Sequence, residues 1–207
     1  MANPQWLQWA KQLQAIAQNG LTFNQDPYDV ERYEAVRQVA AEMMATGSNA
    51  EVSQVLKLFS GEEGYATPKV DVRGAVFKND EILLVKERID GGWTLPGGWA
   101  DVCDSPTEAV EREIYEESGF ETQVTKLVAV YDRSKHPHQP PFPHHVYKIF
   151  FLCQILNGKA TRSHETEDVG FFKEAEIPPL SISRVTSAQI ARMFEYYRNP
   201  ALPTDYD

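Results

Sequence analysis

The sequence predicts an α/β sandwich, mixed strands with a few helices, with a three-helix segment ahead of it. Three observations lead there. Residues 1 to about 62 carry apolar side chains at helical spacing; after Pro68 the apolar period changes to two; and an acidic helical stretch falls between the second and third strand patterns.

In the first helix Trp6, Trp9, Ala10, Leu13, Ile16 and Ala17 form one stripe, and Asn19-Gly20 reads as a stop. The second opens at Asp26-Pro27, an N-cap followed by proline in the first helical position. Its stripe is Tyr33, Val36, Val39, Ala40, Met43 and Met44, with Gly47 as its end. Ser48 or Asn49 then caps a third helix bearing Val52, Val55, Leu56 and Phe59, and Ser60–Gly64 leads to Thr67-Pro68 as a linker. Beyond it, Val70, Val72, Gly74 and Val76 alternate with Asp71, Arg73 and Ala75. Asn79-Asp80 supplies a turn before the apolar run at 82–85. Further strands are expected at 124–131, 146–155 and 169–172, and a last helix at 184–197. The expected division is a helical domain over 1–62, serving substrate or dimer contacts, and a second domain over 67–198. No internal repeat is present.

A chain of 207 residues with ordinary hydrophobic content is long enough for one or two packed domains. A net charge of −10 argues against a broad basic surface for duplex nucleic acid, so an anionic substrate would need local Arg and Lys plus a metal. Two cysteines, Cys103 and Cys153, make no disulfide framework and suit free thiols in a reducing cytosol. No cationic stretch followed by an apolar run opens the chain, and no apolar stretch reaches spanning length. A soluble cytoplasmic protein with no membrane partner is expected.

The segment from Gly98 to Phe120 carries the chemistry. Glu113, Glu116 and Glu117 share one helical face behind a glycine-rich loop. Three adjacent carboxylates destabilise a bare helix, and a divalent cation with a preference for hard oxygen ligands removes the conflict. Val110 and Ile114 lie on a neighbouring, core-facing side, and Ala109 is small enough to leave room under the glutamates. Glu108, Glu111 and Glu121 read as solvated acids.

This segment resembles the Nudix box: a glycine, five residues, an acid, seven residues, then Arg-Glu-aliphatic-x-Glu-Glu-x-Gly-aliphatic. Gly98, Arg112, Glu113, Ile114, Glu116, Glu117 and Gly119 stand at matching positions. Asp104 replaces the pattern's Glu on a shorter stem, and Phe120 replaces its aliphatic residue. The resemblance implies an α/β/α sandwich with a mixed sheet. It also implies that Glu113, Glu116, Glu117 and the Gly97 carbonyl hold one to three Mg²⁺ ions, with Mn²⁺ as a substitute. Those ions would neutralise a diphosphate and activate water, with Glu117 among the catalytic groups. Arg112 would orient the carboxylates through Asp104. The family generally needs a further acid outside the box, and Glu165 and Glu167 are the candidates, with no choice between them.

The loop from Tyr131 to His145 is the second informative stretch. His136-x-His138 suggests zinc, but four prolines keep the loop irregular and no third ligand has convincing spacing. Arg133, Lys135 and His136 better suit phosphate oxygens, with Phe142 or Tyr131 available to stack on a base, and Arg73 is a further substrate-side candidate. A helical segment ahead of the box resembles one Nudix subgroup, which hydrolyses nucleoside diphosphates linked to a second moiety X and includes CDP-choline pyrophosphatases. The expected function is a Mg²⁺-dependent pyrophosphohydrolase splitting such a small molecule, CDP-choline-like or ADP-ribose-like, into NMP and phosphorylated X. The alternatives are an RNA 5′-pyrophosphohydrolase or exonuclease, and a nucleotide-binding sensor without catalysis. Exposed-looking apolar stripes on the helical segment lead to an expected homodimer.

Overall fold

Proline at position 27 and the carboxylate of Asp26 set the start of the second helix: Asp26 accepts from the amides of Tyr28 and Asp29. In the computed structural model, which describes residues 4–207, three helices open the chain: α1 (Gln5–Phe23), α2 (Pro27–Ser48) and α3 (Val52–Ser60). Leu7, Ala10, Ala40, Ala41, Met44, Ala45, Val55 and Phe59 form their common core. Small residues on α2 let α1 approach closely, and α1 turns Leu7, Ala10, Gln14, Ala17 and Gln18 inward. The stripe expected from apolar spacing is therefore rotated. Trp9 and Ile16 stay about half exposed, while Gln14 and Gln18 donate to the carbonyls of Phe59 and Gly64 at 3.4 and 3.1 Å. Gly20 and Gly47 end neither helix. Each lies inside one, beneath the ring of Tyr33 or Trp6, where a Cβ would fall 2.4 Å from ring atoms. Asn49, in the left-handed region at φ 55°, ends α2 instead, and α3 starts without a side-chain cap. Pro141–His145 belongs to this helical unit, and Lys11 Nζ donates to the His144 carbonyl at 2.9 Å.

The second unit comprises Lys69–Pro140 and Val146–Asp207. Its elements are β1 (Lys69–Lys78), β2 (Glu81–Glu87), β3 (Trp93–Thr94), α4 (Pro106–Ser118), β4 (Phe120–Asp132), β5 (Val146–Gly158), β6 (Thr166–Phe172), α5 (Ser187–Arg198) and β7 (Asp205–Tyr206). The sheet runs β3-β2-β1-β5-β4-β7, with β6 on β2. It is mixed: β1 pairs in parallel with β5 and β4 with β7, while the remaining pairs are antiparallel. The two-residue strands β3 and β7 carry too little periodicity to be read from sequence. The final helix begins at Ser187, because Thr186 and Gln189 cap it reciprocally and leave Arg184 in the loop before it.

Both faces of β1 are covered, so both halves of its alternating pattern are buried. Val72 and Val76 join Leu83, Val110, Ile114, Phe151 and Cys153 under α4. On the opposite face Ala75 joins Leu84, Leu95, Phe150, Ile190, Met193 and Phe194. Asp71 and Arg73 lie on that second face too, buried rather than solvated. Ala109 is wholly buried in the α4 core.

Candidate active site

Ser105 and Glu108 cap α4 reciprocally, Pro106 occupies its first turn, and Gly119 at φ 78° ends it. Those signals place Glu113, Glu116 and Glu117 in consecutive turns. The preceding loop is laced to β1: Gly74 N donates to the Pro96 carbonyl at 2.9 Å and Val72 N to that of Gly98 at 2.8 Å. Between them Gly97, at φ 138°, points its amide into the site and donates to Glu117 Oε2 at 2.8 Å. A Cβ on Gly97 would fall 2.1 Å from the Val72 carbonyl oxygen, and one on Gly98 would fall 2.7 Å from Glu113 Oε2. The approach at Gly97 is onto backbone and requires glycine, whereas at Gly98 the neighbour is the far end of the Glu113 side chain.

Arg112 gathers the acids around it. Nε lies 3.1 Å from Asp104, one terminal nitrogen 3.2 Å from Asp101, and the other bridges Glu113 and Glu116 at 3.0 and 3.1 Å. Glu116 is the exposed member of the three. Glu117 is only 6% exposed, and burial pushes its pKa up to about 8, against the opposing pull of Arg73 and the Gly97 amide. Burial raises Glu113 as well, against Arg112.

Glu87 was not singled out by sequence reasoning. It is the last residue of β2 and is buried, with Arg184 Nε 2.6 Å from its carboxylate. It pairs across strands with Thr166, whose hydroxyl donates to the Glu117 carbonyl at 3.0 Å. An acid two residues beyond the run Ile82–Val85, after Lys86, was the available signal.

The candidates from outside the box fall into two groups. Arg73 was expected on the substrate side, but its guanidinium is 4% exposed, with Nε and one terminal nitrogen on Asp71 at 3.0 and 2.8 Å and the other on the Leu95 carbonyl at 3.1 Å. It braces the glycine loop from below. Arg133 is also buried, donating to the carbonyls of Pro140 and Ser183 at 3.1 and 3.2 Å. Double coverage of the sheet face turns both inward. Lys148 joins them, its ammonium 2.5 Å from Asp71. Burial opposes the Asp71 charge, but Arg73 and Lys148 outweigh it and hold the carboxyl below its usual range. Burial pulls Lys148 down, and Arg73 and Arg133 add to that pull. The pair responds unevenly because several cations face one carboxylate, which therefore stays ionised.

Lys135 is exposed on a 3₁₀ turn, and His136 is half-buried, with Nε2 3.1 Å from Asp207 and its ring against Tyr131. His138 turns away from any shared metal with His136. Its Nδ1 meets the Ile182 carbonyl at 3.0 Å and its Nε2 meets Gln189 at 3.4 Å. Glu165 is exposed beside His164, and Glu167 pairs with Lys86 at 3.0 Å.

The donor set suits Mg²⁺ or Mn²⁺: three carboxylates on one helix face, one of them enclosed and short of compensating charge. As they stand, among the described residues no three acidic, histidine or cysteine side chains converge on one point. Arg112 and the Gly97 amide hold the oxygens that a cation would take over.

Comparison with known proteins gives concordant matches. Residues 67–193 match the family model of the NUDIX domain, and residues 4–59 match a model described as "UDP-X-like, N-terminal oligomerisation domain". A Bacillus subtilis (strain 168) protein named "Putative ADP-ribose pyrophosphatase YjhB" is 46% identical over 202 residues, covering 98% of this chain and 97% of that protein. The crystal structure of a UDP-X diphosphatase is 33% identical, covers 100% of both chains and superposes with a TM-score of 0.64. That of an ADP-ribose pyrophosphatase from Streptococcus suis 89-1591 is 39% identical. It covers 68% of this chain and 100% of its own, with a TM-score of 0.62.

Proposed function

The chain belongs to the Nudix hydrolase family, and within it we propose a Mg²⁺-dependent pyrophosphohydrolase of nucleoside diphosphates linked to a second moiety, with ADP-ribose-like and UDP-X-like compounds as its substrate class. The observation that carries this reading is the glutamate face of α4 joined to the glycine loop through Glu117 and Gly97. The names of the long, similar relatives support the choice of class.

In this reading Glu113, Glu116, Glu117 and the Gly97 carbonyl hold the cation, which supplies charge neutralisation of the diphosphate and activation of water. Arg112 keeps Glu113 and Glu116 in register on the exposed side. Water adds to one phosphorus, the bridging P–O bond breaks, and the products are NMP and phosphorylated X. Glu165 takes the water's proton. It is exposed and close enough to Glu87 to raise that group's pKa, whereas Glu167 is engaged by Lys86. The helical unit over 1–62 serves a homodimer, supported by the description of its matching model and by Trp9, Ile16 and Phe23. These are exposed at seven-residue intervals along one side of α1. A cytoplasmic location agrees with two free cysteines, and among the described residues no helix is long and apolar enough to cross a membrane.

A substrate panel tests the proposal: ADP-ribose, UDP-glucose, CDP-choline, NADH, diadenosine polyphosphates and 5′-triphosphate RNA, each with Mg²⁺ and with Mn²⁺, products identified. NMP plus a phosphorylated second product from at least one of the first three is expected. Turnover of the RNA alone would refute it.

A further inference from the structure

The cations that sequence reasoning assigned to the substrate include two committed inside the fold, Arg73 to Asp71 and Leu95, and Arg133 to Pro140 and Ser183. Arg184 is placed differently. It stands in the loop before α5, one quarter exposed, with Nε 2.6 Å from Glu87 and Nη1 at a long 3.4 Å from Ser183 Oγ. Among the described residues its Nη2 has no hydrogen-bond acceptor. The planar guanidinium is therefore fixed through Nε while its terminal nitrogens keep donors for a ligand, an arrangement that suits a phosphoryl group.

Its anchor ties it to the box. Glu87 is buried at the end of β2, opposite Thr166, and the Thr166 hydroxyl is bonded to the Glu117 backbone. The path Arg184–Glu87–Thr166–Glu117 thus crosses only one ion pair, one strand pairing and one hydrogen bond. Glu87 and Glu117 also feel one another's charge, as Glu87 helps to raise Glu117. Without a cation on that side, the carboxylates of Glu87, Asp90, Glu113, Glu117 and Glu165 would repel a diphosphate. Arg184 offsets them at the end of β2, where its Nε meets Glu87.

We propose that Arg184 binds a phosphoryl oxygen of the substrate's diphosphate, with Glu87 as its positioning residue. The inference rests on the reading of the chain as a hydrolase of nucleoside diphosphate derivatives. It is tested on the full chain by ADP-ribose turnover with Mg²⁺, and by calorimetric binding of α,β-methylene-ADP, a nucleoside diphosphate whose bridge resists hydrolysis. Loss of one charge-assisted contact corresponds to about a tenfold to hundredfold effect. Arg184→Gln is expected to raise KM and the probe Kd by that factor, with a smaller change in kcat. Glu87→Gln, which releases the guanidinium without removing it, weakens the probe by less, and Arg184→Lys recovers part of the loss. A purely structural ion pair would instead lower Tm and leave probe affinity alone. Probe affinity and KM within twofold of wild type in a folded Arg184→Gln overturn the proposal. Should that variant fail to fold, unchanged probe affinity in Arg184→Ala does the same. If wild type neither turns over ADP-ribose nor binds the probe, the functional reading falls and this inference with it.

Discussion

Substituting Gly97 by alanine should disable the site and loosen the fold together. The residue sits at φ 138°, a conformation that L side chains rarely adopt, and its Cβ would lie 2.1 Å from the Val72 carbonyl oxygen and 2.9 Å from Arg73 Cα. Both obstacles are backbone of the central strand, so neither moves aside like a flexible side chain. The backbone conformation costs about 1–3 kcal/mol. Overpacking against β1 costs roughly 1–3 kcal/mol more. If the loop retreats to escape the clash, Glu117 loses the amide 2.8 Å from its Oε2 and becomes a buried carboxylate with one partner fewer. A chain of this size shifts its Tm by roughly 2–4 °C for each kcal/mol, so a fall on the order of 5–20 °C is expected. Gly91→Ala is the control: φ is 68°, but nothing lies within 4 Å of a Cβ there, and only the backbone term of about 1 kcal/mol applies. Scanning calorimetry of both variants without metal, followed by ADP-ribose hydrolysis with Mg²⁺, measures the effect. Equal melting of the two variants, or near-wild-type turnover by Gly97→Ala, would refute the argument that this glycine is required for close approach.

Other outcomes follow from burial and charge. Glu117→Gln should raise the metal-free Tm, because it removes a charge that burial opposes, while abolishing Mg²⁺-dependent hydrolysis. In wild type, Mg²⁺ at a hundred times its Kd should stabilise the fold by about 2.7 kcal/mol, and the same upward shift persisting in Glu117→Gln would count against this metal site. Ile114→Ala empties a fully buried position beside Gly74 and should cost about 2–5 kcal/mol in urea denaturation; a loss below 1 kcal/mol would mean the α4 core is not packed as described. His138 is neutral in the fold: burial lowers its pKa to about 3, with Lys148 and Arg133 adding to the effect, and its nitrogens meet Ile182 and Gln189. The unfolded chain binds a proton there below about pH 6.5 that the folded chain refuses, so stability should fall between about pH 6.5 and pH 3, by up to roughly 1.4 kcal/mol per pH unit. The denaturation midpoint of His138→Gln should fall less steeply over that window, and parallel curves would exclude His138 as the cause.

The helix that carries the glutamates was legible because its signals are local. Ser105, Pro106, Glu108 and Gly119 mark its ends, and i, i+3, i+4 spacing puts Glu113, Glu116 and Glu117 on one face whatever surrounds them. The switch of apolar period after Pro68 likewise announced a sheet behind a helical segment, since side-chain alternation is a property of each strand alone. Periodicity does not say what covers a face. The alternation of β1 was compatible with Asp71 and Arg73 in solvent. In the fold that face is covered, and Asp71 and Arg73, with Lys148 and Arg133, are buried groups. For the same reason the α1 stripe was placed one step away from the true contact, which the alanines of α2 determine. Glu87 and Arg184 stand almost a hundred residues apart, and no local pattern pairs them; the β2–β6 register and the loop before α5 bring them together. The sequence by itself determined which three carboxylates share one face of α4 and the class of fold, because those follow from spacing along one helix and one strand. Which cations are free to meet a substrate was decided only in three dimensions, where burial consumed Arg73 and Arg133 and left Arg184 with donors to spare.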